Sequence, residues 1–235
     1  MNVLGIIPAR GGSKGVKDKN IRIIAGEPLI QYAINACKES GRLSTFVVST
    51  DSEKIMAIAE KTGTQVIQRP KEIAMDTSSV VDAALHVLKA LETKNYHFDA
   101  VMLLQPTSPI RTGEDVDKAI GLLEESHEID GVISVIRVED THPARMYEVD
   151  QDGIICSLQP VYENYRRQDL PPIFLRNGAI YLVRREQLVE NRTFMPKKKI
   201  GIVMRSDYSV NIDTELDVLT AEVILTEWKK SRVKK

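Results

Sequence analysis

From residue 3 to about residue 135, short continuous apolar runs alternate with segments of helical period, and that rhythm admits few folds. The runs 3–7, 45–49, 65–68, 101–104, 131–138, 178–183 and 200–204 read as strands, several of them too uniformly apolar to have a wet face. Segment 79–91 puts Val80, Ala83, Ala84, Val87, Leu88 and Leu91 on one stripe of a helix. Segments 28–40, 52–61, 113–125 and 214–230 have helical patterns too, the last with Asp213 or Thr214 as its N-cap. Strands and helices in alternation build right-handed βαβ units. The expected fold class is therefore α/β, with three layers and a mostly parallel sheet.

Beyond residue 138 the rhythm breaks. From about 139 to 175 the chain is polar and rich in proline, with a turn signal at Asp152-Gly153 and Pro171-Pro172 near its end. Structureless loops of that length are uncommon in compact domains, so this stretch is expected to be an excursion that covers a site or makes a dimer contact. With 235 residues and 43% hydrophobic content, the whole of 1–235 is expected to be one globular unit carrying this arm.

The first strand runs directly into Arg10-Gly11-Gly12-Ser13-Lys14-Gly15-Val16-Lys17-Asp18-Lys19-Asn20. Glycines let backbone N–H groups approach an anion, and the interleaved cations match a run of phosphates. The spacing fits neither G-x-x-x-x-G-K-[ST] nor G-x-G-x-x-G, which argues against a P-loop or a dinucleotide-binding loop. Ligands of open α/β sheets sit beyond the carboxyl ends of the strands, where this loop lies.

Charge narrows the partner. Net charge is −1, so no overall field favours nucleic acid or an anionic membrane, and a small ligand is expected. The basic tail from Lys229 to Lys235 reads as solvated. Cys37 and Cys156 are far apart and lack metal-ligand spacing, and no run of about 18 apolar residues occurs, so a cytoplasmic protein is expected.

Further polar segments end the predicted strands: Arg69 to Ser79, Gln105-Pro106-Thr107-Ser108-Pro109-Ile110-Arg111, and Asn211-Ile212-Asp213-Thr214-Glu215. Together with Ile7-Pro8-Ala9-Arg10 and Asn177-Gly178-Ala179-Ile180-Tyr181, this ordered set closely resembles the CMP-sialic acid synthetases, or acylneuraminate cytidylyltransferases, over nearly the whole chain. The resemblance implies a Rossmann-like three-layer α/β/α nucleotidyltransferase with a dimerisation excursion. It also implies transfer of CMP from CTP to the anomeric hydroxyl of an acidic nine-carbon keto-acid sugar, release of pyrophosphate, use of Mg²⁺ or another divalent cation, and a homodimer. Transfer at the α-phosphorus needs cations for the leaving pyrophosphate and a metal to spread charge, as this residue set supplies.

Residue by residue, the family pattern places Arg10 and Lys14 on the triphosphate, with Gly11, Gly12, Ser13 and Lys19 in the same cradle and Asn20 on the nucleotide. Arg69 and Ser79 resemble the residues that meet cytosine and ribose, while Ser78 or Ser79 serves equally well as a helix cap. Gln105 and Tyr181 match sugar-pocket positions, and Arg145 and Arg167 stand where the family has basic residues for the acceptor carboxylate. Asp213 matches a metal-binding carboxylate. Its companion in the family's Asp-x-Asp is here Asn211, which offers only a neutral carbonyl to a hard ion. Leu175-Arg176-Asn177 likewise departs from the family's Arg-Pro-Asn. Asp51 reads locally as a helix N-cap. Two rival readings are a CMP-KDO synthetase-like enzyme, against which Lys14-Gly15-Val16 speaks, and a non-catalytic CTP-binding sensor, which Asn211 would allow.

Overall fold

The computed structural model describes residues 1–12, 15–138 and 141–233. In chain order the elements are β1 (Val3–Pro8), β2 (Ile23–Ile24), β3 (Glu27–Pro28), α1 (Leu29–Glu39), β4 (Thr45–Thr50), α2 (Glu53–Lys61), β5 (Val66–Gln68), α3 (Val80–Glu92), β6 (Ala100–Leu103) and α4 (Gly113–Glu125). They continue with β7 (Gly131–Val138), β8 (Tyr147–Val149), β9 (Ile155–Ser157), β10 (Ile173–Arg184), α5 (Arg185–Val189), β11 (Lys199–Met204) and α6 (Glu215–Val233).

Seven strands form the central sheet in the order β11-β7-β10-β6-β1-β4-β5. All neighbouring pairs are parallel except the two made by β10, which runs antiparallel between β7 and β6. The apolar runs are buried on both faces because strand side chains alternate. Val3 and Ile7 of β1 pack with Ile30 and Ile34 of α1 and with Val116 and Ile120 of α4, whereas Leu4 and Ile6 pack with Val87, Leu88 and Leu91 of α3. Three layers result, a mixed α/β architecture on a mostly parallel sheet.

Helix starts reflect local chemistry. Ser79 caps α3 by accepting from Val81 N at 3.1 Å, and Thr112 and Asp115 form a reciprocal capping box on α4. Thr214 and Asp217 do the same for α6: Asp217 N donates to Thr214 Oγ1 at 3.2 Å, and Thr214 N donates to Asp217 Oδ2 at 2.7 Å. Helix α6 packs Val218, Ala221 and Leu225 against Val16, Ile24 and Leu29, and so covers the β2–β3 hairpin and the far end of the first loop.

Strand β10 begins at Ile173, earlier than the apolar pattern suggests, because residues 173–176 extend the ladder along the outer end of β7. Its register then shifts between Arg176 and Tyr181. Gly178 takes φ +80° in this bulge, and a Cβ there would lie 2.7 Å from Ser108 Oγ. The excursion before β10 contains the antiparallel β8–β9 hairpin and short 3₁₀ turns at Pro143–Arg145, Pro160–Tyr162 and Arg167–Asp169. Buried His142 ties its two ends. Nδ1 accepts from Ala144 N at 3.0 Å, so Nε2 donates to Pro171 O at 3.0 Å.

Candidate active site

The loop leaving β1 is fixed from both sides. Ala9 N donates to Ser49 O at 3.0 Å and Gly11 N donates to Asp51 Oδ1 at 2.8 Å. Asp51 therefore anchors this loop; the residue at the start of α2 is Ser52. Gly11 gives its N–H to the chain itself, and Gly12 adopts φ +63°, a left-handed turn that glycine reaches without strain. Buried Asn20 closes the loop by donating Nδ2 to Arg10 O at 2.9 Å. Ser13 and Lys14, both expected in the phosphate cradle, lie outside the described residues.

Gly15 brings the C-terminal segment in. A Cβ on it would lie 2.0 Å from Asp213 O, so no other residue fits without moving backbone. Lys19 Nζ then reaches Ile212 O at 2.9 Å and Asp213 Oδ1 at 3.0 Å. On the opposite side Arg10 Nη1 is ion-paired with Asp76 Oδ1, and both side chains are 30% exposed. Arg69, only 6% exposed, lies against β4, donating Nε to Ser49 Oγ at 3.2 Å and Nη2 to Ser49 O at 2.9 Å. Burial lowers its pKa, Asp51 raises it and Arg10 lowers it further.

These side chains surround one cavity of about 380 Å³ at the carboxyl end of β1. It is lined by Arg10, Gly15, Lys19, Asn20, Arg69, Ser78, Ser79, Gln105, Thr107 and Asp213, with Met75 and Val80 as its apolar wall. Residues from four separate parts of the sequence thus converge. The third part, Gln105 to Ser108, is locked to the fourth: Ile212 N donates to Thr107 O at 2.9 Å, and the Ser108 hydroxyl is shared between Asn177 O at 2.9 Å and Asn211 Oδ1 at 3.1 Å. Asn211 in turn donates Nδ2 to Asp213 Oδ2 at 2.7 Å.

The remaining expected positions fall elsewhere. Tyr181 is buried in the apolar cluster with Leu4, Ile6 and Leu103, its ring 5.9 Å from the Arg176 guanidinium; burial raises its pKa and Arg176 opposes this. Arg145 belongs to the first turn of the excursion. Arg167 lines a second cavity of about 320 Å³ with Arg137, His142 and Pro171. Sequence reasoning missed Asp76 and the buried Arg111. Neither has a signal in local pattern, since each is defined by a partner that folding supplies.

Among the described residues no group of three or more His, Cys, Asp and Glu is placed to hold a metal, and no helix is long and apolar enough to cross a membrane. One carboxylate, Asp213, faces the cavity, while the Asn211 carbonyl is turned to Ser108. That donor set fits a hard cation that takes most of its ligands from phosphate and water.

A family model described as cytidylyltransferase matches residues 4–226. An N-acylneuraminate cytidylyltransferase of Streptococcus agalactiae is 34% identical over 221 residues, covering 93% of this chain and 52% of that protein. The chain thus spans about half the length of that relative. A CMP-N,N'-diacetyllegionaminic acid synthase of Legionella pneumophila is 34% identical over 231 residues, covering 96% of this chain and 97% of that protein. Among solved structures, a CMP:2-keto-3-deoxy-manno-octonic acid synthetase complexed with CTP superimposes with a TM-score of 0.72 over 97% of this chain and 99% of that one, at 16% identity, a likeness of fold.

Proposed function

Since this chain belongs to the cytidylyltransferase family, we propose that it transfers CMP from CTP to the anomeric hydroxyl of a nonulosonic, sialic-type keto-acid sugar and releases pyrophosphate. The observation that carries this reading is the convergence of Arg10, Lys19, Arg69, Gln105 and Asp213 on one cavity. Arg10, Lys19 and Arg69 supply cations, Asp213 beside Lys19 supplies a carboxylate, and amide and hydroxyl groups complete the lining. A triphosphate and a polyhydroxylated acid need such a combination.

In this reading Arg10, Lys14 and Lys19 neutralise the triphosphate, and Gly12 and Ser13 belong to the same cradle. Arg69, with Ser78 and Ser79, meets cytosine and ribose. Its guanidinium is held by Ser49, so it meets the base in one orientation at little entropic cost. Asn20 keeps the loop closed, and Gln105 meets the acceptor. Asp213 would hold Mg²⁺, which would spread the charge that develops on the phosphates, and the Asn211 carbonyl would join it only by leaving the Ser108 hydroxyl.

The acceptor's carboxylate is assigned to Arg145 and Arg167 acting across a homodimer. The support is the excursion's surface, where Val149, Ile154, Ile155, Leu158, Val161, Tyr165 and Phe174 are all exposed. Left uncovered, so dense an apolar set is a liability, and a second copy of the arm would bury it by self-complementary contact. Both cysteines are free, which suits a reducing, cytoplasmic setting. Among acceptors, a legionaminic-type sugar is favoured by the match to the Legionella pneumophila synthase along nearly all of that protein's length. The deciding experiment is pyrophosphate release from CTP and Mg²⁺ with a panel of N-acetylneuraminic, KDN, legionaminic, pseudaminic and KDO acids. Turnover with a nine-carbon acid is expected; release with KDO alone, or with none, defeats the reading.

A further inference from the structure

Arg111 is among the most completely buried large side chains of the protein, 1% exposed. Its Nη2 donates to the carbonyls of both Gln105 and Ser108. Nε and Nη1 are shielded and have no hydrogen-bond partner among the described residues. Its charge is poorly compensated. Asp115, the carboxylate that acts on it, is already engaged in the capping box of α4. The neighbouring Cys37 thiol is pushed up to about 12 by burial, against the pull of Arg111, and is therefore neutral. A buried guanidinium so placed is an expensive way to fill space, and an apolar side chain of similar volume often stabilises such a site.

What the guanidinium does gain is control of one turn. With the carbonyls of Gln105 and Ser108 drawn to one nitrogen, the turn is fixed where Gln105 lines the cavity. The Ser108 hydroxyl is presented to Asn177 and to Asn211, and Asn211 holds Asp213. We propose that Arg111 is a positioning residue for the acceptor half of the site: it clamps the 105–108 turn and, through Gln105 and the Ser108–Asn211 link, sets the groups that meet the sugar. The inference rests on the reaction proposed above and adds to it a residue that touches neither substrate.

Arg111→Met keeps the volume and removes the charge; Arg111→Lys keeps the charge but carries its one nitrogen on a shorter arm than the one that brings Nη2 to both carbonyls. For Arg111→Met the expected result is a Tm equal to or above that of the unsubstituted protein, a CTP Kd within about twofold of it, and an acceptor KM raised by about tenfold or more. Arg111→Lys should fall between the two. Amide hydrogen exchange of peptides covering 104–112 should quicken in Arg111→Met while β1 and β6 stay protected. Loss of folding, equal losses in CTP binding and acceptor use together with a lowered Tm, or an unchanged acceptor KM would each overturn the proposal. If the unsubstituted protein turns over no acceptor at all, the reaction reading fails instead. The exchange measurement still decides the clamp: unchanged exchange in the turn rejects it.

Discussion

Arg10, which lines the cavity, is ion-paired with Asp76, so the carboxylate sits on the guanidinium that the proposed reaction assigns to a phosphate. Nucleotide must displace it. A partly exposed pair of this kind is worth up to about 1 kcal/mol, so Asp76→Asn should bind CTP about two- to fivefold more tightly. Titration calorimetry reads this directly; equal or weaker binding would show that Asp76 does not compete for Arg10.

Removing the cations should have the opposite sign. Arg10→Ala, Lys14→Ala and Lys19→Ala should each lower kcat/KM by about 10²-fold with the fold intact. Lys19→Ala should be the most severe because Lys19 also holds Ile212 O and Asp213. Steady-state kinetics with circular dichroism checks both parts. Near-normal activity in all three would make the loop a structural turn.

Asp213→Ala should be close to inactive, while Asn211→Asp should bind Mg²⁺ more tightly in the presence of CTP. The second variant carries a cost. Asn211 now donates to Asp213, and a carboxylate in its place would face another carboxylate across the same gap. Without divalent cation, Asn211→Asp should melt below the unsubstituted protein, and its gain in Tm on adding Mg²⁺ with CTP should be the larger. Full activity of Asp213→Ala would remove the metal assignment.

Asp217 makes the start of α6 sensitive to acid. The N–H groups of Asp213 and Thr214, with the Thr214 hydroxyl, hold its carboxyl below its ordinary value of 3.8. A depressed folded pKa stabilises the protein above the unfolded value, and that contribution fades as pH falls through the folded one. Asp217→Asn should therefore melt below the unsubstituted protein at neutral pH, and the gap should close below pH 3.8. A gap that widens in acid would contradict this account.

The exposed face of the excursion gives the oligomer test. Ile155→Glu and Val161→Glu put charge into the patch without touching the cavity. Light scattering should show a dimer for the unsubstituted protein and a monomer for each variant, with acceptor use lost and CTP binding kept. A monomeric unsubstituted protein with full activity would rule out a shared site.

Most of the sheet was readable because burial on both faces leaves continuous apolar runs, as in Val3–Pro8 and Gly131–Val138. Ser79, weighed as cap or ligand, caps α3 and lines the cavity as well. The direction of β10 was not readable, since an apolar run carries no mark of which way it pairs. Asp152-Gly153 marked the turn of the β8–β9 hairpin, but its strands, three residues each and largely exposed, are too short to read as strands. Asp51 read as a cap because a short window of sequence holds only its immediate neighbours, whereas its partner, Gly11, lies 40 positions earlier. Arg111 was invisible for a related reason: a charge beside a proline-rich turn looks solvated until the turn folds around it.

Gly15 rests against Asp213 O, and Lys19 holds the same residue across 194 positions of sequence. The loop after β1 is made long before the segment that closes it. On the ribosome, therefore, β1 and its loop emerge long before any nucleotide site exists, and the cavity forms only when the segment before α6 leaves the exit tunnel. On the proposed reading, binding of CTP reports that synthesis has passed residue 213: a nascent chain halted earlier holds Arg10 but has nothing to close the site.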